Sequence, residues 1–226
     1  GRYGIETLVE KGIFINGFVF RYADAVMMQT TTAVSHFANT PSSVDSATIH
    51  YAPQPIPMPN DEGVDATAFR RRFLIPDDAI LVSAFGIMHR VKQPLPLLEA
   101  CRRARLQGRN VHLAFVGSDE HAPEVKRRVE ELSLHDWVHF CGHVPMEMFY
   151  EGLHASDIVA CLRHPCQEQL SASLLRSMSC GKAVLASSVP SNRQLPDDSF
   201  CAIAAVSDPV NELEAAIVRL IDHPNE

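Results

Sequence analysis

Residues 80–117 read ILVSAFGIMHRVKQPLPLLEACRRARLQGRNVHLAFVG. An apolar run ends at Gly86, a segment of helical period follows, and a second apolar run ends at Gly117. Within the helical segment, Leu97, Ala100, Cys101 and Ala104 fall on one face, and Gly108 stands where a helix C-cap belongs. A strand, a crossover helix and a second strand in about 38 residues form a βαβ unit, which requires a parallel sheet.

The same alternation continues downstream. Apolar runs recur at 137–142 (WVHFCG), 157–162 (DIVACL), 183–187 (AVLAS) and 200–205 (FCAIAA). EVKRRVEEL at 124–132 is a helical segment with Val125, Val129 and Leu132 on one face. The segment QEQLSASLLRSMSCGKAV at 167–184 begins polar, places Leu174, Leu175 and Met178 toward a core, and stops at Gly181. Continuous apolar strands joined by amphipathic helices predict an α/β fold, a doubly wound parallel sheet.

Upstream, AVMMQT at 25–30 and ATIHYA at 47–52 read as strands flanking a helix near 33–37, with another helix ending near Tyr22. The prolines at 53, 55, 57 and 59 in YAPQPIPMPN (51–60) fix φ at alternate residues and predict an extended linker. The expected organisation is a partial α/β unit over 1–52, a linker over 53–72 and a main domain over 73–226. The apolar segment GIFINGFVF (12–20) is expected to pack against a further domain and, uncovered, to invite self-association.

Composition narrows the function. With 46% hydrophobic residues, the 226-residue chain carries a real core, which excludes a disordered or fibrous protein. The formal charge of -7 with scattered cations gives no basic stripe for nucleic acid. The six cysteines form no CxxC or Cys/His metal spacing, so they read as reduced core residues of a cytoplasmic protein. GIFINGFVF is too short to span a bilayer, which takes about 20 apolar residues, and no signal peptide stands out.

In a doubly wound sheet, ligands bind beyond the carboxyl ends of the strands. Gly86 permits close backbone approach there, and Lys92 adds a full charge to the partial positive charge of a helix N-terminus, a combination that suits a diphosphate. Gly117 and Gly142 permit tight βα turns, and for Gly117 that is the favoured reading. His143 follows a strand end, and Arg163, His164 and Glu168 crowd the mouth of the 171–180 helix, with Ser171 and Ser173 as candidate caps.

Taken in order, FG at 85–86 with Lys92 six positions on, FVG at 115–117, VHFCGHVP at 138–145, the ASDIVACL strand and then E-x7-R before SMSCGKAVLAS resemble the donor-binding half of family 4 glycosyltransferases, which have the GT-B architecture. The likeness covers roughly 76–222, and 23–57 resembles the last unit of that family's N-terminal domain with its linker. It implies a Rossmann-like C-terminal half that holds a nucleotide diphosphate sugar, UDP- or GDP-linked, and transfers the sugar, of hexosyl type, with retention of anomeric configuration. No metal or other cofactor is expected.

By the same likeness, Lys92 contacts the diphosphate and Glu168 the donor-sugar hydroxyls, and these two are the catalytic candidates. Gly86, Arg90, Gly142, His143, Val144, Ser171, Ala172, Ser173 and Arg176 are the candidate donor-binding residues, with the backbone of 142–144 reading the base. Two departures stand out. Ile87 replaces the arginine that the family places beside the glycine, leaving Arg90 as a substitute. Arg176 replaces the second acid of E-x7-E, so a group that only donates stands where a carboxylate accepts from ribose. A second register puts Gln169 in the place of the first acid.

The acceptor, a glycan, lipid or small molecule, is expected to bind a domain that this chain mostly lacks. The isolated chain is therefore expected to bind donor without transferring sugar, with membrane-peripheral attachment of a longer protein left open. A non-catalytic nucleotide-sugar or protein-interaction module with a degenerate site is the alternative. A related epimerase or phosphorylase would need further cleft acids and histidines or a pyridoxal lysine, and no clear set of either is written in the chain.

Overall fold

The structure is a computed structural model and describes residues 23–38, 49–57, 63–119, 123–165 and 170–224. The expected helix ending near Tyr22, GIFINGFVF, Cys166, Glu168 and Gln169 lie outside the described residues. Contacts divide the chain into a small and a large unit.

In the small unit, β1 (Val26–Met28) and β2 (Ile49–Tyr51) run parallel, with Val26 opposite Ile49, joined through α1 (Thr31–Ala38). Thr30 starts that helix, its hydroxyl accepting from the Ala33 amide at 3.1 Å. Residues 52–57 carry no helix or strand, in keeping with alternate prolines that cannot donate to a ladder.

The large unit begins with α2 (Ala66–Arg72), a helix inside the stretch read as linker. Asp65 caps it through bonds from the Thr67 and Ala68 amides, both at 3.0 Å, and Phe69 is fully buried. Six strands follow: β3 (Ile80–Phe85), β4 (Val111–Val116), β5 (Val138–Gly142), β6 (Ile158–Cys161), β7 (Ala183–Ser187) and β8 (Cys201–Ile203). They form one sheet in the order β5-β4-β3-β6-β7-β8, every neighbouring pair parallel. The helices between them are α3 (Pro94–Leu106), α4 (Pro123–Glu131), α5 (Met146–Ala155) and α6 (Ala172–Ser179), and α7 (Val210–Asp222) follows β8.

All six positions of β4 are buried, because both of its faces are covered, and this is why its sequence reads as an unbroken run rather than an alternation. Leu97, Ala100, Cys101 and Ala104 bury the inner face of α3 against β4 and α7, as their spacing predicts. Each fully buried leucine of this core is worth roughly 2 kcal/mol. On α6 the periodicity is only partly right: Leu174 is buried, Leu175 and Met178 are half-buried, and the fully buried third position is Ser177. That hydroxyl is satisfied internally, donating to the Ser173 carbonyl at 2.8 Å.

Helix α2 packs on α5, with Phe69 against Gly152. A Cβ on Gly152 would lie 2.8 Å from the Phe69 ring, so only glycine lets the two helices approach. The chain winds outward from β3 to β5 and returns through α5 to place β6 on the other side of β3. The strand order therefore reverses between β3 and β6, and the crevice at their carboxyl ends is the topological switch point.

Candidate functional site

Three glycine turns line the carboxyl edge of the sheet. Gly86 leaves β3 with φ +90° and is strapped to the end of β4, its amide donating to the Val116 carbonyl at 2.7 Å. Gly117 lies directly against it: a Cβ there would sit 2.3 Å from the Gly86 carbonyl oxygen. Gly117 is thus held by close packing as well as by the turn that the sequence suggests, and it pairs in turn with Gly142, which has φ +67°.

Beyond Gly86 the chain forms a short 3-10 turn, Arg90–Lys92, that folds Lys92 back over the strand end. Its Nζ donates to the Phe85 carbonyl at 2.8 Å and lies 2.6 Å from where a Cβ on Gly86 would be. Burial lowers the pKa of this ammonium, partly offset by Cys161, and the nearby Arg163 adds a smaller lowering. A partly desolvated cation beside another cation is better accommodated when an anion joins it.

On the far side of the crevice, Ser171 caps α6 by accepting from the Leu174 amide at 3.4 Å. Ser173 reaches across from the first turn of α6, its Oγ 3.5 Å from the Phe85 carbonyl oxygen. Lys92 and Ser173, 81 positions apart in sequence, therefore meet on one carbonyl oxygen. The N-terminus of α6 thus lies beside the ammonium, an arrangement suited to an anion.

The loop after β6 closes the crevice. The Arg163 amide donates to Ser187 Oγ at 2.8 Å, and the His164 amide donates to the Val91 carbonyl at 2.8 Å, tying this loop to the Lys92 turn. His164 Nδ1 lies 3.0 Å from the Ala205 carbonyl oxygen, and because that oxygen only accepts, Nδ1 carries the hydrogen. This anchoring role was not legible in the sequence, since both partners of His164 are backbone groups.

The remaining candidates are distributed unevenly. Arg90 pairs with Glu124 (2.9 Å), and both line a cavity of about 400 Å³ together with His164. Ile87 is 55% exposed. His143 is exposed and Val144 half-buried on the turn after β5. Arg176 packs over Phe149 on α5, 5.9 Å from the ring centroid, rather than standing free on the surface. Glu168 cannot be placed, since it lies outside the described residues.

Lys182, three positions past the end of α6, donates from its Nζ to the His154 carbonyl at 2.8 Å, in the last turn of α5. Cys101, Cys141, Cys161 and Cys201 are free thiols. Burial pushes the thiols of Cys141 and Cys161 up to about 12, which keeps them protonated and unreactive. Among the described residues, no group of three or more His, Cys, Asp or Glu could hold a metal ion, and no helix is long and apolar enough to cross a membrane.

Comparison with known proteins agrees with this geometry. A family described as glycosyl transferases group 1 matches residues 65–226. No curated protein matches the sequence. Among solved structures, HepE of Anabaena in complex with UDP superposes with a TM-score of 0.75 at 16% identity, over 92% of this chain and 56% of that one. Sucrose-phosphate synthase from Thermosynechococcus elongatus gives 0.73 at 20% identity, over 95% of this chain and 53% of the other. WaaG, a glycosyltransferase involved in lipopolysaccharide biosynthesis, gives 0.69 at 17% identity, over 98% and 64%. The fold is the Rossmann-like fold of these GT-B proteins, and the chain spans somewhat more than half the length of each.

Proposed function

The chain belongs to the glycosyl transferases group 1, and we propose that it is the C-terminal, donor-binding part of a retaining, family 4 enzyme that transfers a hexosyl unit from a nucleotide diphosphate sugar. The observation that carries this reading is the convergence of Lys92 Nζ and Ser173 Oγ on the Phe85 carbonyl, beside Gly86 and the α6 N-terminus. It is supported by the bound UDP and UDP-glucose of HepE structures that share the fold.

In this reading the diphosphate lies across Gly86, where the lack of a side chain lets its oxygens approach backbone. Lys92 and the amides of Ser171, Ala172 and Ser173 bind it, the turn at Gly142, His143 and Val144 takes the base, and Glu168 holds the sugar hydroxyls. The demanding step is departure of the diphosphate from the anomeric carbon, as negative charge builds on the leaving oxygens. Fixed dipoles and an ammonium aimed at that charge stabilise the transition state more than the ground state, which is what raises the rate. The stabilisation comes from protein groups, so no metal is invoked. The acceptor, a glycan, lipid or small molecule, meets the donor only when a second domain closes over this crevice, so the 226-residue chain alone binds donor and transfers nothing.

Titration calorimetry of the chain with UDP, GDP and their sugars tests the reading. One nucleotide diphosphate is expected to bind, and Lys92→Ala is expected to weaken it about a hundredfold, near 3 kcal/mol. Absence of any nucleotide preference would favour a non-catalytic interaction module, and sugar transfer by the isolated chain would refute its incompleteness.

A further inference from the structure

Arg176 is the fifth residue of α6, three positions after Ser173, and so lies on the same side of the helix. Helical side chains lean toward the N-terminus of their helix, which directs Arg176 toward the edge of the sheet that carries Gly86 and Lys92. Its guanidinium rests over the Phe149 ring, which meets the ring of Phe85, the last residue of β3, edge-on at 4.9 Å. An aromatic platform of this kind covers the carbon face of a guanidinium and leaves its outer nitrogens for an acceptor.

No acceptor in the described chain takes them. Arg70, Arg90, Arg102, Arg103 and Arg109 each hold a carboxylate, whereas no acid among the described residues pairs with Arg176, and its Nε is buried without a hydrogen-bond partner. A half-buried cation without a counter-charge is costly unless a ligand supplies the charge. The loop after β3 offers little competition for that ligand, because Ile87 is apolar and Arg90 is engaged by Glu124.

We infer that Arg176 is a phosphate-binding residue of this site, supplying with Lys92 the second positive charge to the diphosphate, so that the crevice selects ligands by their number of phosphate groups. The inference rests on the nucleotide-sugar reading above and sharpens it. In a ribose contact the guanidinium would donate to neutral hydroxyls and its charge would stay uncompensated. On the diphosphate the same donors meet anionic oxygens, and Phe149 fixes the plane of the fork for two of them.

The test uses the 226-residue chain with UDP, GDP and ADP, then the monophosphate and the nucleoside of whichever binds tightest, titrated into wild type, Arg176→Gln, Arg176→Lys and Lys92→Ala, with weak binders measured by competition. Arg176→Gln is expected to weaken the diphosphate at least about tenfold, the monophosphate less and the nucleoside not at all, and to flatten the salt dependence of diphosphate binding. Arg176→Lys keeps the charge but loses the fork, and its affinity is expected to fall between the two; it also serves as the reporter should the glutamine variant fail to fold. Equal losses for nucleoside and diphosphate would move Arg176 to the ribose and overturn the inference. So would unchanged diphosphate binding in Arg176→Gln while Lys92→Ala loses it, and in that case the nucleotide site itself would stand. Wild type that binds none of the three nucleotides would overturn both.

Discussion

The two ends of β3 are built on opposite principles. At its amino end, polar groups are paired within the protein: Arg70 donates to the carbonyls of Pro76 and Ala79 (both 2.9 Å), to that of Ala155 (2.8 Å) and to Asp157 (2.9 Å), and Asp157 in turn accepts from the Leu81 amide at 2.7 Å. At its carboxyl end, a glycine turn, a desolvated ammonium and a guanidinium on an aromatic platform present positive charge with no carboxylate to match it among the described residues. The amino end closes on itself and stabilises the sheet. The carboxyl end leaves donors for a ligand. One strand therefore separates stability from binding by about 20 Å, at the usual rise per residue.

That contrast can be broken by substitution. Arg70→Ala is expected to do the most damage, about 3 kcal/mol of unfolding free energy, because several carbonyls and Asp157 lose their partner together. A lower urea midpoint with unaltered nucleotide affinity is the expected pair of results; intact stability would show that the amino edge is not what holds the sheet. Gly117→Ala tests whether the carboxyl edge is free of packing constraint. Its Cβ would meet the Gly86 backbone, so a loss of about 2 kcal/mol is expected together with weaker nucleotide binding, since the Gly86 turn must shift. Lys182→Ala, at the amino edge, is expected to cost about 1 kcal/mol through the orphaned His154 carbonyl and to leave binding untouched.

A more gradual effect is expected with pH. His112 on β4 and His139 on β5 stack at 5.2 Å with Nδ1 and Nε2 2.9 Å apart, so one ring donates to the other and both are neutral. Burial, and then His112, lower His139 to about 4, while burial, followed by Arg105 and Arg70, lowers His112. The unfolded chain, with histidines near 6.5, takes up protons that the folded chain refuses, so stability is full above 6.5 and falls as pH drops toward 4. Carboxylates whose pKa is lowered, such as Glu99, add their own loss only below 4.5. Urea midpoints between pH 7 and 5 isolate the histidines, and replacing both with asparagine is expected to flatten that interval.

Much of this arrangement was legible because parallel strands covered on both faces must be apolar throughout. The runs at 80–86, 111–117 and 183–187 therefore declared themselves without any tertiary information. Helix α2 did not, since ATAFRRR places a single large apolar residue, Phe69, after a stretch rich in proline, and its burial depends on the absence of a side chain at Gly152, 83 positions later. Ser177 eluded periodicity for a related reason: a hydroxyl that bonds its own helix can occupy a buried position that the pattern assigns to Leu175 or Met178.

By itself the sequence determined the α/β class, the order of strands and helices along the chain, and the presence of glycine and lysine at a strand end, because periodicity and turn chemistry are local properties. The fold alone decided which of those ends adjoin. Strand order placed β6 beside β3 and so brought Ser173 to the carbonyl that Lys92 holds, turned Arg90 toward Glu124, and set Arg176 on Phe149. Side chains separated by tens of residues meet only when burial of the sheet fixes the backbone between them, and no local pattern encodes that distance.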